Sequence, residues 1–177
     1  STPLADTYGF VDPEIYKLDF RISNLLARDI NGDGKLDLIC TNNIRSRIDV
    51  LAQRDSEAPP AKDEAGVNEI RHDQRMEHRK IQVRRTIGSL EVRDVNSDGR
   101  ADLVYLGDPK GLYIEYGQPD GTFGQERVFE NSDAQIATWT LDVADFTGDG
   151  KEDIAYLGQK YLYLIKQEEN GRLSNPT

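Results

Sequence analysis

Three segments of this 177-residue chain are near copies of one another, and an internal repeat constrains the fold more than any other sequence feature. They occupy residues 29–37, 94–102 and 145–153. Each copy has Asp at positions 1, 5 and 9, Gly at position 6, and Asn or Thr at position 3. The similarity continues beyond these loops, since Asp-Leu-Val-Tyr-Leu-Gly at 102–107 matches Asp-Ile-Ala-Tyr-Leu-Gly at 153–158. The sequence therefore predicts one supersecondary unit repeated three times.

Short apolar segments on both sides of the loops predict β-strands. Apolar and polar residues alternate with a period of two before the second and third loops. A dense apolar run follows each loop, which is typical of a strand buried on both faces. A third strand follows in each unit, and Gly-containing turns lead towards a fourth. Helical patterning is weak throughout.

Sheets that are apolar on both faces must be stacked between neighbours. This predicts an all-β fold of three β-propeller-type blades, each an antiparallel sheet of up to four strands. In a single repeat domain over residues 1–177, the predicted blades cover about residues 20–87, 88–130 and 134–173. Residues 1–19 form a leading segment, with one strand at 13–20. Because closed propellers have about 4–8 blades, we expect a partial propeller or a protomer completed by another chain.

The oxygen-bearing residues of the loops predict metal sites. Carboxylate and amide oxygens converge, Gly permits the backbone reversal, and position 7 can offer its carbonyl oxygen. Such a set of hard ligands suits Ca²⁺, whereas Zn²⁺ prefers nitrogen and sulfur. Thr147 is a weaker ligand than the Asn of the other two copies. The predicted ligands of up to three Ca²⁺ ions are Asp29, Asn31, Asp33, Lys35 and Asp37; Asp94, Asn96, Asp98, Arg100 and Asp102; and Asp145, Thr147, Asp149, Lys151 and Asp153.

Two other interpretations of the loops compete with a calcium site. An EF-hand needs Glu at position 12 and flanking helices, but position 12 is Cys40, Tyr105 or Tyr156 and the flanks are predicted strands. The second alternative is structural, because Asp, Asn and Gly are common in turns. A turn needs no third carboxylate at position 9, so the threefold repetition favours metal.

The units resemble the FG-GAP/VCBS-type repeat, the calcium-loop blade also found in propellers of integrin α-subunits. The motif Asp-x-Asn/Asp-x-Asp-Gly-x-x-Asp, followed by an aliphatic residue, maps onto residues 29–38 and 94–103, and onto 145–154 with Thr at position 3. The Phe-Gly signature has partial echoes at residues 8–10 and 122–124, and the Gly-Ala-Pro element is absent. The resemblance implies calcium at the start of each blade and a ring used for adhesion or for ligand or glycan binding. Similar propellers in some bacterial proteins carry polysaccharide lyase sites.

Composition excludes several other classes of protein. With 32 acidic and 22 basic residues, a net charge of −10 argues against nucleic acid as a partner. No apolar run is long enough to predict membrane insertion. The single cysteine, Cys40, excludes an internal disulfide and is predicted to be a buried small hydrophobe. Nine of the 32 acidic residues are the Asp residues of the loops, so three Ca²⁺ ions would change the net charge from −10 to −4 (−10 plus 6).

The remaining features give no catalytic site. Residues 54–79 form a charged insertion with both histidines, His72 and His78, whose spacing does not match a helical zinc motif. We expect a solvated excursion there, although long loops also carry binding or catalysis. The residues that we expect in the interblade core, rather than stacked on sugars, are Trp139, Tyr105, Tyr113, Tyr156, Tyr161 and Tyr163.

The sequence thus predicts a non-catalytic, calcium-binding module for extracellular or cell-surface binding of a protein or glycan ligand. The expected location is secreted, periplasmic or at the cell surface, and no ligand-binding residues are predicted. One alternative is part of a carbohydrate-active enzyme, such as a polysaccharide lyase, with the insertion in its cleft. Another is a self-assembling module that closes a six-bladed ring as a homodimer.

Overall fold

Eleven β-strands and no helix make up the part of the chain that the computed structural model describes, which is residues 15–54 and 75–176. The strands are β1 (Ser23–Arg28), β2 (Asp37–Asn42), β3 (Arg47–Gln53), β4 (Met76–Gln82), β5 (Thr86–Arg93), β6 (Asp102–Asp108), β7 (Gly111–Glu115), β8 (Arg127–Glu130), β9 (Leu141–Ala144), β10 (Asp153–Leu157) and β11 (Leu162–Ile165). In these ranges no helix is long and apolar enough to span a membrane.

The strands form three antiparallel sheets, each following the order of the chain. The first sheet is β1-β2-β3-β4, the second is β5-β6-β7-β8, and the third is β9-β10-β11. Each of the three repeated loops joins the first strand of a sheet to its second strand. The all-β fold with three blade-like antiparallel sheets is therefore confirmed, with three strands in the third sheet.

Two apolar cores lie on opposite sides of the second sheet, as the dense apolar runs predicted. Along β6, Leu103 and Tyr105 belong to the core shared with the first sheet. Val104 and Leu106 alternate with them and belong to the core shared with the third sheet. All four side chains are fully buried. Because each sheet buries its neighbour, no blade has a complete core of its own.

The far face of the third sheet is exposed in the described part of the chain. Leu157 and Leu162 pair across β10 and β11 and are 42% and 63% exposed. Their counterparts in the second sheet, Leu106 and Leu112, are fully buried because the third sheet covers them. The repeat thus places the same apolar face on both sheets, and only that of the second sheet is covered by described residues.

Two of the aromatic residues expected in the core lie at the surface instead. Trp139 is 90% exposed and Tyr161 is 64% exposed. Both precede a strand, because β9 begins at Leu141 and β11 at Leu162. Trp139 also has a positive φ of 61°, which takes it out of the extended path that the alternation had predicted. The prediction is correct for Tyr105, Tyr113 and Tyr156, which are buried, while the half-buried Tyr163 stacks on Tyr156.

The predicted insertion is shorter than residues 54–79. Residues 76–79 belong to β4, and residues 55–74, with His72, lie outside the described residues. His78 on β4 has its Nε2 atom 2.7 Å from Oδ1 of Asp49, which is fully buried and also accepts a 2.8 Å hydrogen bond from Nε of Arg47. His78 is therefore part of a polar network on a strand.

The leading strand expected at residues 13–20 is absent from its described part. Residues 15–20 form no strand, and the first sheet begins at Ser23. Residues 13 and 14 lie outside the described residues. Asp19 instead reaches the β2–β3 turn, where it accepts a 3.0 Å hydrogen bond from Nε of Arg45.

Cys40 is a buried small residue, as predicted. It lies on β2 and is 5% exposed. Burial, with a smaller contribution from the charge of Asp49, raises the pKa of its thiol to about 11.

We expect Cys40 to react with Ellman's reagent at pH 8 far more slowly in the native protein than in urea, because the thiol is buried and protonated. Absorbance at 412 nm measures the reaction, and the signal belongs to Cys40 because the chain has one cysteine. Equal rates in the two states would contradict this prediction.

Gly88 lies at a close approach between the second and third blades. A Cβ atom there would lie 2.7 Å from the Ile136 side chain and 2.9 Å from the backbone of Ala137. We expect Gly88→Ala to lower the free energy of unfolding by about 1–3 kcal/mol, measured by urea denaturation, because the interface must shift.

Gly124→Ala is the matched control for this substitution. Its Cβ atom would meet the mobile end of Gln118 at 2.7 Å, which can move away at little cost. Equal losses of stability in the two variants would show that the contact at Gly88 does not limit the packing.

Candidate metal centres

The three loops follow the same backbone path. The Gly at position 6 has a left-handed backbone in each copy, with φ of 82° at Gly34, 81° at Gly99 and 82° at Gly150. Position 4 is also left-handed, including Ser97 with φ of 59°. A non-glycine residue rarely adopts this conformation, so the fold imposes the path on the second loop as well. The sequence motif predicted the reversal at position 6 and missed the one at position 4.

The Asp at position 1 organises each loop through its backbone amides. In the first loop, Oδ1 of Asp29 accepts hydrogen bonds from the amides of Gly32 (2.7 Å) and Asp33 (3.2 Å), and Oδ2 accepts one from Gly34 (2.7 Å). Asp94 and Asp145 accept the equivalent bonds from positions 5 and 6 of their own loops. The loop therefore curls around one carboxylate, which supports the turn interpretation for this position.

The Asp at position 9 ties each loop to the end of the third strand of its blade. Oδ2 of Asp102 accepts a 3.0 Å bond from the amide of Val95 in the loop, and Oδ1 accepts a 2.9 Å bond from Gly117 beyond β7. Asp37 and Asp153 each bridge the loop and the third strand in the same way. All three are fully buried. Sequence reasoning had assigned these residues to metal alone and missed this structural role.

Position 5 is exposed in all three loops, whereas position 7 is half-buried in each of them. In the first copy, Oδ1 of Asp33 accepts a 2.8 Å bond from the amide of Lys35, and Oδ2 accepts a 3.1 Å bond from Nδ2 of Asn31. The amide of Lys35 lowers the pKa of Asp33. The second loop repeats both contacts. In the third loop, Oδ1 of Asp149 accepts a 3.0 Å hydrogen bond from the amide of Lys151, and this bond lowers the pKa of Asp149.

The carboxylates of the second loop repel one another. Burial raises the pKa of Asp102 to about 6, two backbone hydrogen bonds oppose the rise, and the charges of Asp98 and Asp94 add to it. Burial is the main cause of the raised pKa, and a bound cation would relieve the smaller contribution from the two neighbouring carboxylates.

The loops fit a hard cation by their chemistry, although their side chains do not close around a point. Among residues 15–54 and 75–176, no three His, Cys, Asp or Glu side chains come close enough together to hold a metal ion as they stand. At position 1, Oδ1 already accepts two amides in each loop. Oδ2 at position 1 and both oxygens at position 9 accept one amide each, which leaves each of them a second lone pair for a cation. All of the predicted ligand atoms are oxygens, and each loop contains three carboxylates. The fifteen residues therefore stay predicted ligands.

Comparison with known proteins supports the assignment of the repeat. A family model described as the FG-GAP-like repeat matches residues 94–156, from the first Asp of the second loop into β10. The search of curated proteins found no match. The chain therefore contains an FG-GAP-type repeat, which confirms the predicted resemblance. With its three stacked antiparallel sheets, the protein is a β-propeller-type module.

We expect Asp153→Asn to lower the free energy of unfolding by about 1–3 kcal/mol in EDTA, because an amide side chain leaves either the amide of Thr147 or the buried amide of Gln167 without an acceptor. Urea denaturation followed by far-ultraviolet circular dichroism measures the loss. Asp149→Asn is the control, since position 5 is solvated and its loss costs less. If both variants were as stable as the parent protein, the structural role of position 9 would be disproved.

Proposed function

We propose that this chain is a calcium-stabilised, non-catalytic β-propeller-type module that binds a protein or glycan ligand outside the cell. The observation that carries the calcium part is the threefold recurrence of one loop geometry with carboxylates at positions 1, 5 and 9. In every copy the side chain at position 5 accepts the amide of position 7, but Asn would accept it as well as Asp, so a turn alone does not require a negative charge there.

Each predicted site combines residues that the blade holds in different ways. The backbone amides fix the carboxylates of positions 1 and 9, so these ligands lose little conformational freedom on binding. Position 5 is exposed in every loop, and position 3 is exposed in the first and third loops, so these side chains can turn towards a cation. Calcium, when bound, would supply the positive charge that offsets the repulsion between carboxylates. The position 9 residue then transmits the gain in stability to the third strand.

An extracellular location agrees with the proposed metal. Extracellular calcium modules bind with dissociation constants of about 10⁻⁴–10⁻³ M, a range that suits loops whose three carboxylates already accept hydrogen bonds from amides. The exposed face of the third sheet supports the partial-propeller interpretation, in which a further sheet of this protein or of a second copy covers it.

We expect calcium to raise the melting temperature and EDTA to reverse the rise. A site at a hundredfold excess of calcium over its dissociation constant stabilises the folded state by roughly 2.7 kcal/mol. Differential scanning calorimetry, with magnesium for comparison, measures the effect. A melting curve that calcium leaves unmoved would refute the calcium part of the proposal.

Two variants assign the effect to the loops. Asp98→Asn should reduce the shift that calcium produces, because it removes a ligand charge from the second loop. Asp120→Asn should not reduce it. Asp120 also accepts a backbone amide two residues ahead, from Thr122 at 3.0 Å, but it lies in a turn outside the three loops.

A further inference from the structure

A cavity of about 660 Å³ opens between the first and second blades, beside the first two loops. Its size falls within the roughly 300–1,000 Å³ of sites for small ligands. Four arginines line it, from three strands and a loop: Arg28, Arg79, Arg93 and Arg100. We call this cavity the interblade cleft. Four guanidinium groups around one cavity are unexpected in a protein whose net charge is −10.

Two of these guanidinium groups have donors that the described residues do not use. The Nε atoms of Arg28 and Arg93 are buried and have no hydrogen-bond partner in the described ranges. Arg28 does pair with Glu91 through Nη2 at 3.2 Å, and Arg93 forms no ion pair with a described residue. A buried donor without an acceptor costs free energy, which a bound acceptor would recover.

The carboxylates in the cleft differ in whether they already accept hydrogen bonds from the protein. Asp29 and Asp94 accept amides of their own loops. Glu152 also lines the cleft, and its Oε2 atom is buried without a partner in the described part of the chain. The wall of the cleft therefore contains unpaired cationic donors and one unpaired anionic acceptor, each buried beneath the surface of the cavity.

The rest of the lining is largely apolar. Phe123, Leu36 and Ile81 contribute side chains to the same cavity. An aromatic ring and aliphatic side chains can pack on the C–H face of a compact ring. A ligand that matches this cleft carries a carboxylate, hydrogen-bond donors and an apolar face within one small unit.

We propose that the interblade cleft binds an acidic sugar, a uronic acid residue of a glycan. The carboxylate of such a sugar would accept from the guanidinium groups of Arg28 and Arg93, and a ring hydroxyl would donate to Glu152. The C–H face of the ring would lie on Phe123. The inference deepens the ligand-binding part of the proposed function and does not require that calcium be bound.

Isothermal titration calorimetry of the full chain with digalacturonate tests the proposal. The protein is saturated with calcium, and the same titration into calcium buffer gives the baseline. We expect one site whose affinity falls as salt is added, because the recognition is ionic. Neutral galactobiose should bind at least about tenfold more weakly, since it lacks the charge-assisted hydrogen bonds.

Variants on the two faces of β4 assign the binding to the cleft. Arg79→Gln should weaken digalacturonate binding, whereas Lys80→Gln should not, because Lys80 pairs opposite Asp49 on the other face of the sheet. Arg93→Gln should weaken it more strongly. Glu152→Gln tests whether that carboxylate accepts a hydrogen bond from a hydroxyl of the ligand. Weaker binding would support the contact, and tighter binding would overturn it.

Other outcomes would overturn the proposal. Equal binding of galactobiose, or full binding by Arg79→Gln and Arg93→Gln variants that fold normally, would exclude the cleft as a uronate site. Tighter binding of an acetylated Asp-Glu-Asp peptide than of digalacturonate would assign the cleft to acidic peptides instead. If calcium shifts the melting curve and digalacturonate does not bind, the inference fails and the calcium proposal stands. If digalacturonate binds and calcium does not shift the melting curve, the calcium proposal fails and the inference stands.

Discussion

The structure depends on one interaction that occurs once in each blade, the buried carboxylate at position 9. Asp37, Asp102 and Asp153 each accept an amide from the loop on one oxygen and an amide from the end of the third strand on the other. A buried carboxylate is costly unless it is hydrogen-bonded, and two backbone donors meet that need. The contact fixes the turn at one end of the sheet relative to a strand two places away, so the loop and the sheet hold each other in place.

The second constraint is that no sheet completes its own core. The second sheet is buried on both faces because the first and third sheets cover it. This stacking explains the dense apolar runs after each loop, which would be a liability on an isolated sheet. It also explains Gly88, where the backbone of the next blade leaves no room for a side chain. The contacts between blades are therefore part of the hydrophobic core and contribute to stability.

The loops and most strands were predictable because they rest on local periodicity and on repetition. The errors occur where local pattern and tertiary context differ. Trp139 continues an alternating pattern, but the strand starts two residues later, and a pattern of period two does not define its own first residue. β4 has a charged, apolar-poor sequence and is a strand because it pairs with β3 along seven residue pairs. Pairing with the neighbouring strand decides the structure of an edge strand more than the β-propensity of its own sequence does.

The sequence by itself determined the repeated unit, the all-β class, the stacking of sheets and the identity of the oxygen donors, because each is encoded in residues close together along the chain. Only the tertiary structure decided that position 9 is a buried crosslink, since its second partner lies 14 to 16 residues further on. The interblade cleft also belongs to the tertiary structure. Its arginines come from two blades, and no spacing along the chain brings Arg28 and Arg93 to one cavity until the sheets stack.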